Sequence, residues 1–206
     1  MIKVLLYVSA ALCAYLVCGI NPAILISKRV YHTDIRTLGS GNAGFTNFKR
    51  SIGGIYSWVV LLFDLSKAAV ITAIFARLFE IHIGSYDLGA IYTCFFAMLG
   101  HCFPCWYRFK GGKGFLVYIS VIWFVDPRAG AVALIIMLLL LITTRYMSLS
   151  TVTAMLSCPI TLALINAEAR VIVICTLCSL LMTVRHKDNF VRLIKGTEKK
   201  VSLIDK

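Results

Sequence analysis

The stretch IGGIYSWVVLLFDLSKAAVITAIFARLF, residues 52–79, decides the fold class. Between Gly54 and Arg77 its only charged side chains are Asp64 and Lys67. An apolar run of about 20 residues is what a helix needs to cross a hydrocarbon core of ~30 Å. Asp64 and Lys67 stand three residues apart, so on a helix they share a face and can neutralise one another. A charge inside a membrane costs ~2.5–3.5 kcal/mol on insertion scales, so such a pair is expected to brace a site.

Six more apolar runs lie on either side, at residues 4–26, 88–103, 115–125, 129–144, 149–165 and 171–184. The expectation is an all-α integral membrane protein with seven transmembrane helices, organised as one polytopic domain over residues 1–206. Several runs are shorter than a full crossing, and the region 115–145 is the most ambiguous. Asp126-Pro127 is a turn signal there, which favours two helices over one kinked helix. Lys3 precedes the first run as in a secretory signal, but the run is too long for one and Lys28 and Arg29 follow it, so a retained span is expected.

Composition agrees. The 206 residues are 60% apolar and 15% charged, with a mean hydropathy of +0.87. Those values exclude a disordered chain and a water-soluble globule. Of eight cysteines, Cys13, Cys18, Cys94, Cys158, Cys175 and Cys178 fall within apolar runs and read as small membrane-buried hydrophobes. His101, Cys102 and Cys105 include a CxxC spacing without a second ligand pair, so no metal site is expected.

The formal charge of +12 is unevenly distributed. With seven spans and the amino terminus outside, segments 27–51, 104–114, 145–148 and 185–206 share one side and hold 16 basic residues, against four on the other. Positive charge favours the cytoplasmic side, so these segments and the carboxy terminus are expected there. Such a face attracts anionic lipid or substrate, and no nucleic-acid partner is implied. With no soluble domain, chemistry must use these segments at the helix ends.

Three segments have the composition for it. In residues 34–50, Gly39, Gly41 and Gly44 permit positive φ and close approach, so that backbone N–H groups can converge on an anion. Ser40, Asn42, Thr46 and Asn47 add neutral donors, and Arg36, Lys49 and Arg50 add charge. The alternative is a flexible loop with ordinary basic residues. In residues 100–114, Lys110 and Lys113 flank Gly111-Gly112 just before a helix whose N-terminus favours anions. The spacing is not that of a Walker A loop, so a nucleoside triphosphate is not implied. His101 can serve as a general base or as an interfacial histidine. In residues 185–200, lipid headgroups account for the lysines but not for His186, Asn189 and Glu198. On a continuous helix Arg185, Asn189 and Arg192 share a face.

The order GSGNxGxTNxxR, DxxK, GHxFPxxxxFKGGKG and RHxxNxxRLxxGxExK, spread over residues 19–200, resembles the bacterial acyl-phosphate:glycerol-3-phosphate acyltransferase family, PlsY. The resemblance implies a seven-helix enzyme of the bacterial inner membrane, with an outside amino terminus and a cytoplasmic active site. It would move a fatty acyl group from acyl phosphate to the 1-hydroxyl of glycerol 3-phosphate in phospholipid synthesis, without a cofactor. It also implies Ser40, Asn42, Arg50, Lys113, His186 and Asn189 as catalytic residues. Substrate binding falls to Gly39, Gly41, Thr46, Asn47, Lys67, His101, Lys110, Gly111, Gly112, Arg192 and Glu198, with Arg145, Ser148 and Ser150 from a short RxxSxS stretch. Membrane lipid and a soluble acyl-phosphate-producing enzyme are the implied partners.

Two positions depart from the family pattern. Phe45 stands where alanine is usual and Ala68 where glycine commonly follows the lysine; a ring in the anion loop is expected to reshape the pocket. A donor that is already a mixed anhydride needs no covalent intermediate, so direct attack is expected, with His186 or a phosphate oxygen taking the proton. The rival readings are an organic-phosphate transporter and a divergent, weakly active member of the same family. An acyl-CoA enzyme of the HxxxxD class finds its spacing only at His82–Asp87, on the outer side. CDP-alcohol transferases need a run of metal-binding aspartates that this sequence lacks.

Overall fold

The computed structural model describes residues 1–201, which form ten α-helices and two 3-10 turns; residues 202–206 of the predicted cytoplasmic tail lie outside the described residues. The helices are α1 (Ile2–Gly19), α2 (Pro22–Val30), α3 (Phe45–Ser51), α4 (Ile55–Ile83), α5 (Tyr86–Cys102), α6 (Phe115–Val125), α7 (Pro127–Thr144), α8 (Met147–Leu164), α9 (Ala169–Arg185) and α10 (Lys187–Ile194). Each predicted apolar run is helical, since only a helix satisfies every backbone group within an isolated apolar segment.

Five stretches are long and apolar enough to cross a membrane, or six if the bent pair α9 and α10 counts as one. At 11 residues, α6 is too short by itself, because that length rises only about 16 Å. Polar contacts fix it within the bundle instead: Tyr118 Oη donates to the Cys175 carbonyl of α9 (3.1 Å) and lies 2.9 Å from Ser179 Oγ, which in turn donates to the Met155 carbonyl of α8 (2.8 Å).

Local chemistry sets the breaks. Asp126 caps α7 by accepting from the Arg128 N–H at 2.7 Å, with Pro127 in the first turn; proline there sacrifices no intrahelical bond. The expected separation of α6 from α7 holds. The first apolar run, expected as one span, is long and apolar enough to be one over Ile2–Val30, with a local break inside it: Asn21 Oδ1 accepts from the Ile24 N–H (3.0 Å) and starts α2. Asn21 Nδ2 meanwhile donates to the Ala43 carbonyl (3.0 Å), fastening the break to the glycine-rich loop.

Small side chains bring the helices together. Ala10, Ala14 and Cys18, one face of α1, are buried, and a Cβ on Gly100 of α5 would lie 2.1 Å from the Tyr15 carbonyl oxygen. Close approach of this kind strengthens dispersion between helices where there is no water to expel. Of the six cysteines read as membrane-buried, five are buried, whereas Cys13 is exposed.

The ends alternate. The starts of α4, α6 and α8 and the ends of α5, α7 and α9 meet at one end of the bundle, where they bound a common cavity. His82 and Asp87 lie at the opposite end, near the α4–α5 turn, where Asp87 Oδ1 accepts from Ser85 Oγ (2.7 Å).

Candidate active site

Residues 31–54 wrap around Asn47, which is buried in α3. Its Nδ2 group donates to the carbonyls of Ile35 (3.2 Å), Leu38 (3.0 Å) and Asn42 (3.0 Å), and its Oδ1 accepts from the Ser40 N–H (2.9 Å). Gly39 passes over this amide with φ +56°, and a Cβ there would lie 2.4 Å from Asn47 Oδ1. Both the conformation and the space require glycine. Gly41 also has positive φ, whereas Gly44 is extended at φ −148° and is crowded by Asn42 Nδ2.

Two of the backbone donors of this loop are already occupied within it. The N–H of Ser40 is taken up by Asn47 and that of Gly41 by the Leu38 carbonyl (2.9 Å). What the loop presents is side chains: Ser40, Asn42, Thr46 and Arg50 all line a cavity of about 590 Å³. Arg50 has no hydrogen bond or ion pair among the described residues. Asp34, held well below the usual carboxylate range chiefly by side-chain hydrogen bonds from Arg36, fixes that arginine outside the cavity against the Tyr107 carbonyl (3.0 Å).

The second loop lies on top of His101. A Cβ on Gly112 would fall 2.1 Å from His101 Nε2, and one on Gly111 would fall 2.1 Å from the His101 carbonyl oxygen. The glycine pair thus permits close packing and delivers Lys113 to the rim. Lys113 Nζ donates to Asn189 Oδ1. Burial, then the charge of Arg192, lowers the Lys113 pKa to about 8, against the opposing pull of Glu198 and Asp188.

The tail turns back at Gly196, φ +68°, and brings Glu198 onto three donors. Ser148 Oγ (2.9 Å) and Asn189 Nδ2 (2.5 Å) donate to its Oε1, and Arg192 Nε (2.7 Å) donates to its Oε2. Burial pushes this carboxyl up, but the hydrogen bonds from Asn189, Arg192 and Ser148 outweigh it and hold the group below its ordinary range. His186, one residue past α9, has Nδ1 2.8 Å from the Met182 carbonyl. A carbonyl only accepts, so Nδ1 carries the proton and Nε2 keeps its lone pair. Burial and Lys113 lower this imidazole to about 4, so it is neutral at pH 7.

Of the predicted residues, Gly39, Ser40, Asn42, Thr46, Asn47, Arg50, His101, Lys113, Ser148, His186, Asn189, Arg192 and Glu198 line this cavity. Gly41 and Gly111 line a smaller polar one of about 140 Å³, which shares Ser40, Asn42, Lys113, Asn189 and Arg192 with the first. Lys67, Lys110, Gly112, Arg145 and Ser150 line neither. Lys67 lies behind the wall, where it donates to the Ile20 carbonyl (2.7 Å) and sits 2.7 Å from Asp64 Oδ1 and 3.4 Å from His101 Nδ1. The Asp64 contact is an ion pair without good hydrogen-bond alignment, and Asp64 Oδ2 has no partner among the described residues. The pair thus braces the α1–α2 break and His101, as expected. Lys110 is exposed, as is Arg145, whose carbonyl accepts from the Val201 N–H (2.8 Å), and Ser150 donates to the Tyr146 carbonyl (2.9 Å).

Arg185, Asn189 and Arg192 do not share one helix face, because the chain bends by 55° between α9 and α10. They meet around the smaller cavity all the same. Arg185 donates to the Gly112 carbonyl at 3.0 Å and clamps the glycine pair. The apolar wall of the large cavity has no sequence signal: Leu61 and Leu65 of α4, Phe115, Leu116 and Ile119 of α6, Met137 of α7 and Met147 of α8 look like any other residues of their runs. The large cavity thus has donors and cations from the loops and a largely apolar wall from α4, α6, α7 and α8, interrupted on α4 by the buried carboxylate Asp64, which suits a phosphate joined to an acyl chain.

The chain as a whole is similar to known proteins. The sequence profile of glycerol-3-phosphate acyltransferase matches residues 8–196. Glycerol-3-phosphate acyltransferase 1 of Rhizobium johnstonii is 35% identical over 196 residues, 94% of this chain and 90% of the relative. The enzyme of Staphylococcus carnosus is 33% identical over 92% of this chain and 95% of its own. Among solved structures, PlsY, an integral membrane glycerol 3-phosphate acyltransferase, superposes in its glycerol 3-phosphate form with a TM-score of 0.86 at 29% identity, covering 95% of this chain and 96% of that one. Its lysophosphatidic acid form gives 0.82 at 28% identity, covering 95% of each chain. In sequence and in fold alike, this chain belongs to the glycerol-3-phosphate acyltransferase family.

Proposed function

We propose that the protein transfers an acyl group from acyl phosphate to the 1-hydroxyl of glycerol 3-phosphate, releasing phosphate and lysophosphatidic acid. The observation that carries this reading is one cavity with a cationic rim and an apolar interior. Two phosphate-bearing substrates repel one another in water; Arg50 and Lys113, with Ser40 and Asn42 as neutral donors, offset that repulsion and hold the hydroxyl against the carbonyl. The hydroxyl oxygen bonds to the carbonyl carbon, the bond from that carbon to the phosphate oxygen breaks, and phosphate leaves with the electron pair.

Neutral His186 accepts a hydrogen bond from the attacking hydroxyl through Nε2 and orients it. With a pKa near 4 it is a weak base, so the proton passes to the departing phosphate, whose basicity rises as the bond breaks. No covalent acyl-enzyme is needed. Ser148 Oγ is bound to Glu198 and Ser150 Oγ to a backbone carbonyl, so neither has the histidine partner that activates a nucleophilic serine.

The protein crosses the bacterial inner membrane seven times, with its amino terminus outside and the site at the cytoplasmic face, where a soluble enzyme supplies the donor. Two observations support this: helix ends alternate at the cavity, and segments on that side carry 16 basic residues against four. Cysteine labelling at positions 49, 113 and 199 is expected from the cytoplasmic side only, and at positions 3 and 80 from outside only. Outside labelling at 113 or 199 reverses the orientation.

The deciding assay uses purified protein with glycerol 3-phosphate and either palmitoyl phosphate or palmitoyl-CoA. Lysophosphatidic acid and phosphate in equal amounts are expected from the first donor and no product from the second. Turnover with the thioester alone overturns the donor assignment. A transporter of organic phosphate finds no support in a cavity gathered at one end of the bundle.

A further inference from the structure

Phe45, the first residue of α3, sits where the polar rim meets the apolar interior. Its neighbours Gly44 and Thr46 belong to the rim; Leu61 and Leu65 of α4 belong to the interior. The half-buried ring packs on Trp58 with centroids 5.9 Å apart and planes tilted by 44°. Lys49 Nζ lies 5.2 Å from the centre of the Trp58 ring, and the indole itself is half exposed. Offset aromatic packing together with a cation over the indole holds the phenyl ring in place.

Along α4, Trp58, Leu61 and Leu65 are spaced three and four residues apart, so they descend one helix face from the level of the ring. Phe45 lines the cavity together with Ser40, Arg50 and Lys113, so on the acyl-phosphate reading the carbonyl and first carbons of a donor whose phosphate those three residues hold pass beside the ring. The end of a long chain lies many carbons deeper, beyond reach of the ring. We propose that Phe45, held by Trp58, determines donor specificity at the carbonyl end of the chain: it narrows the cavity there, so that straight acyl groups fit and groups branched beside the carbonyl do not. The ring reads width, not length. The proposal rests on the acyl-phosphate reading above.

The test compares the full-length protein with Phe45→Ala, Phe45→Leu and Trp58→Ala, using palmitoyl phosphate, 2-methylpalmitoyl phosphate and lauroyl phosphate at saturating glycerol 3-phosphate. An extra methyl in a tight apolar pocket is discriminated by roughly 10–200-fold. Phe45→Ala is therefore expected to lower the straight-to-branched ratio of kcat/KM by about tenfold or more, with Phe45→Leu in between. Trp58→Ala, which releases the ring from behind, shifts the ratio in the same direction. The palmitoyl-to-lauroyl ratio stays within about twofold, because chain length is read deeper in the cavity. An unchanged straight-to-branched ratio in Phe45→Ala overturns the proposal, as does a change confined to chain length. Loss of palmitoyl turnover in both Phe45 variants also overturns it, since the ring would then support catalysis itself. If the unchanged protein fails to use palmitoyl phosphate, the donor reading falls and the proposal with it.

Discussion

Lys113→Ala is expected to lower kcat/KM for glycerol 3-phosphate by about 10²–10³-fold, the usual loss when one preorganised donor to a developing anion is removed. The ammonium is partly desolvated beside Asn189 and lies between two cavities, where attraction to a phosphate is weakened less by water than at an open surface. Arg50→Ala, which severs no hydrogen bond or ion pair with the described residues, should lose activity comparably while melting at an unchanged temperature. The pH profile separates charge from shape. With the free Lys113 near pH 8, the ammonium is present below that value and lost above it, so kcat/KM falls as pH rises through 8. Lys113→Arg stays protonated throughout, so whatever activity it retains should show no fall at pH 8. His186, near 4, is already neutral across this range and adds no step. A fall at pH 8 persisting in Lys113→Arg would assign it to another group.

The second large effect concerns the loop around Asn47. Asn47→Asp places a carboxylate oxygen where Nδ2 now donates to three carbonyls. Each lost hydrogen bond removes about 0.5–1.5 kcal/mol net, and each buried group left unpaired costs about 1–3 kcal/mol more. The loop cannot keep its shape at that cost, and activity is expected to fall by more than about 10²-fold because a displacement of about 1 Å at a positioned group already costs that much. Gly39→Ala should do the same by driving a methyl into Asn47 Oδ1. The bundle should survive both changes, since Phe48, Ile35 and Val60 form a hydrophobic cluster separate from the one that joins α1 and α4–α9. Faster proteolysis within residues 31–54, with unchanged helical circular dichroism, is the expected pair of results. Full activity in Gly39→Ala would free the loop from this role.

The sequence marked the rim more fully than the cavity. Ser40, Arg50, Lys113 and His186 stand out because polar and cationic residues are rare in this chain and gather in segments between apolar runs. Lys110 and Gly112 stand out for the same reason, yet one is exposed and the other lies flat against His101. Composition marks a segment as polar but not which side chain within it turns inward. Asn47 was legible as a donor but not as the hub of its loop, because its partners are backbone carbonyls that every residue possesses.

By itself, the sequence determined the helical runs, the break at Asp126, the Asp64–Lys67 pair and the clustering of basic residues. Each is a local property: apolar length, a capping side chain before proline, a three-residue spacing, a count of charges between runs. The tertiary structure alone decided that Asn21 fastens the α1–α2 break to the Ala43 carbonyl, that Arg185 clamps the Gly111-Gly112 loop, that Glu198 returns across 50 residues to Ser148, and that Leu61, Ile119 and Met137 face one cavity rather than lipid. In a membrane chain nearly every helical residue is apolar whichever way it faces, so hydropathy cannot separate the wall of a substrate cavity from the surface that meets the bilayer. Only the packing of α4, α6, α7 and α8 around a shared space makes that distinction.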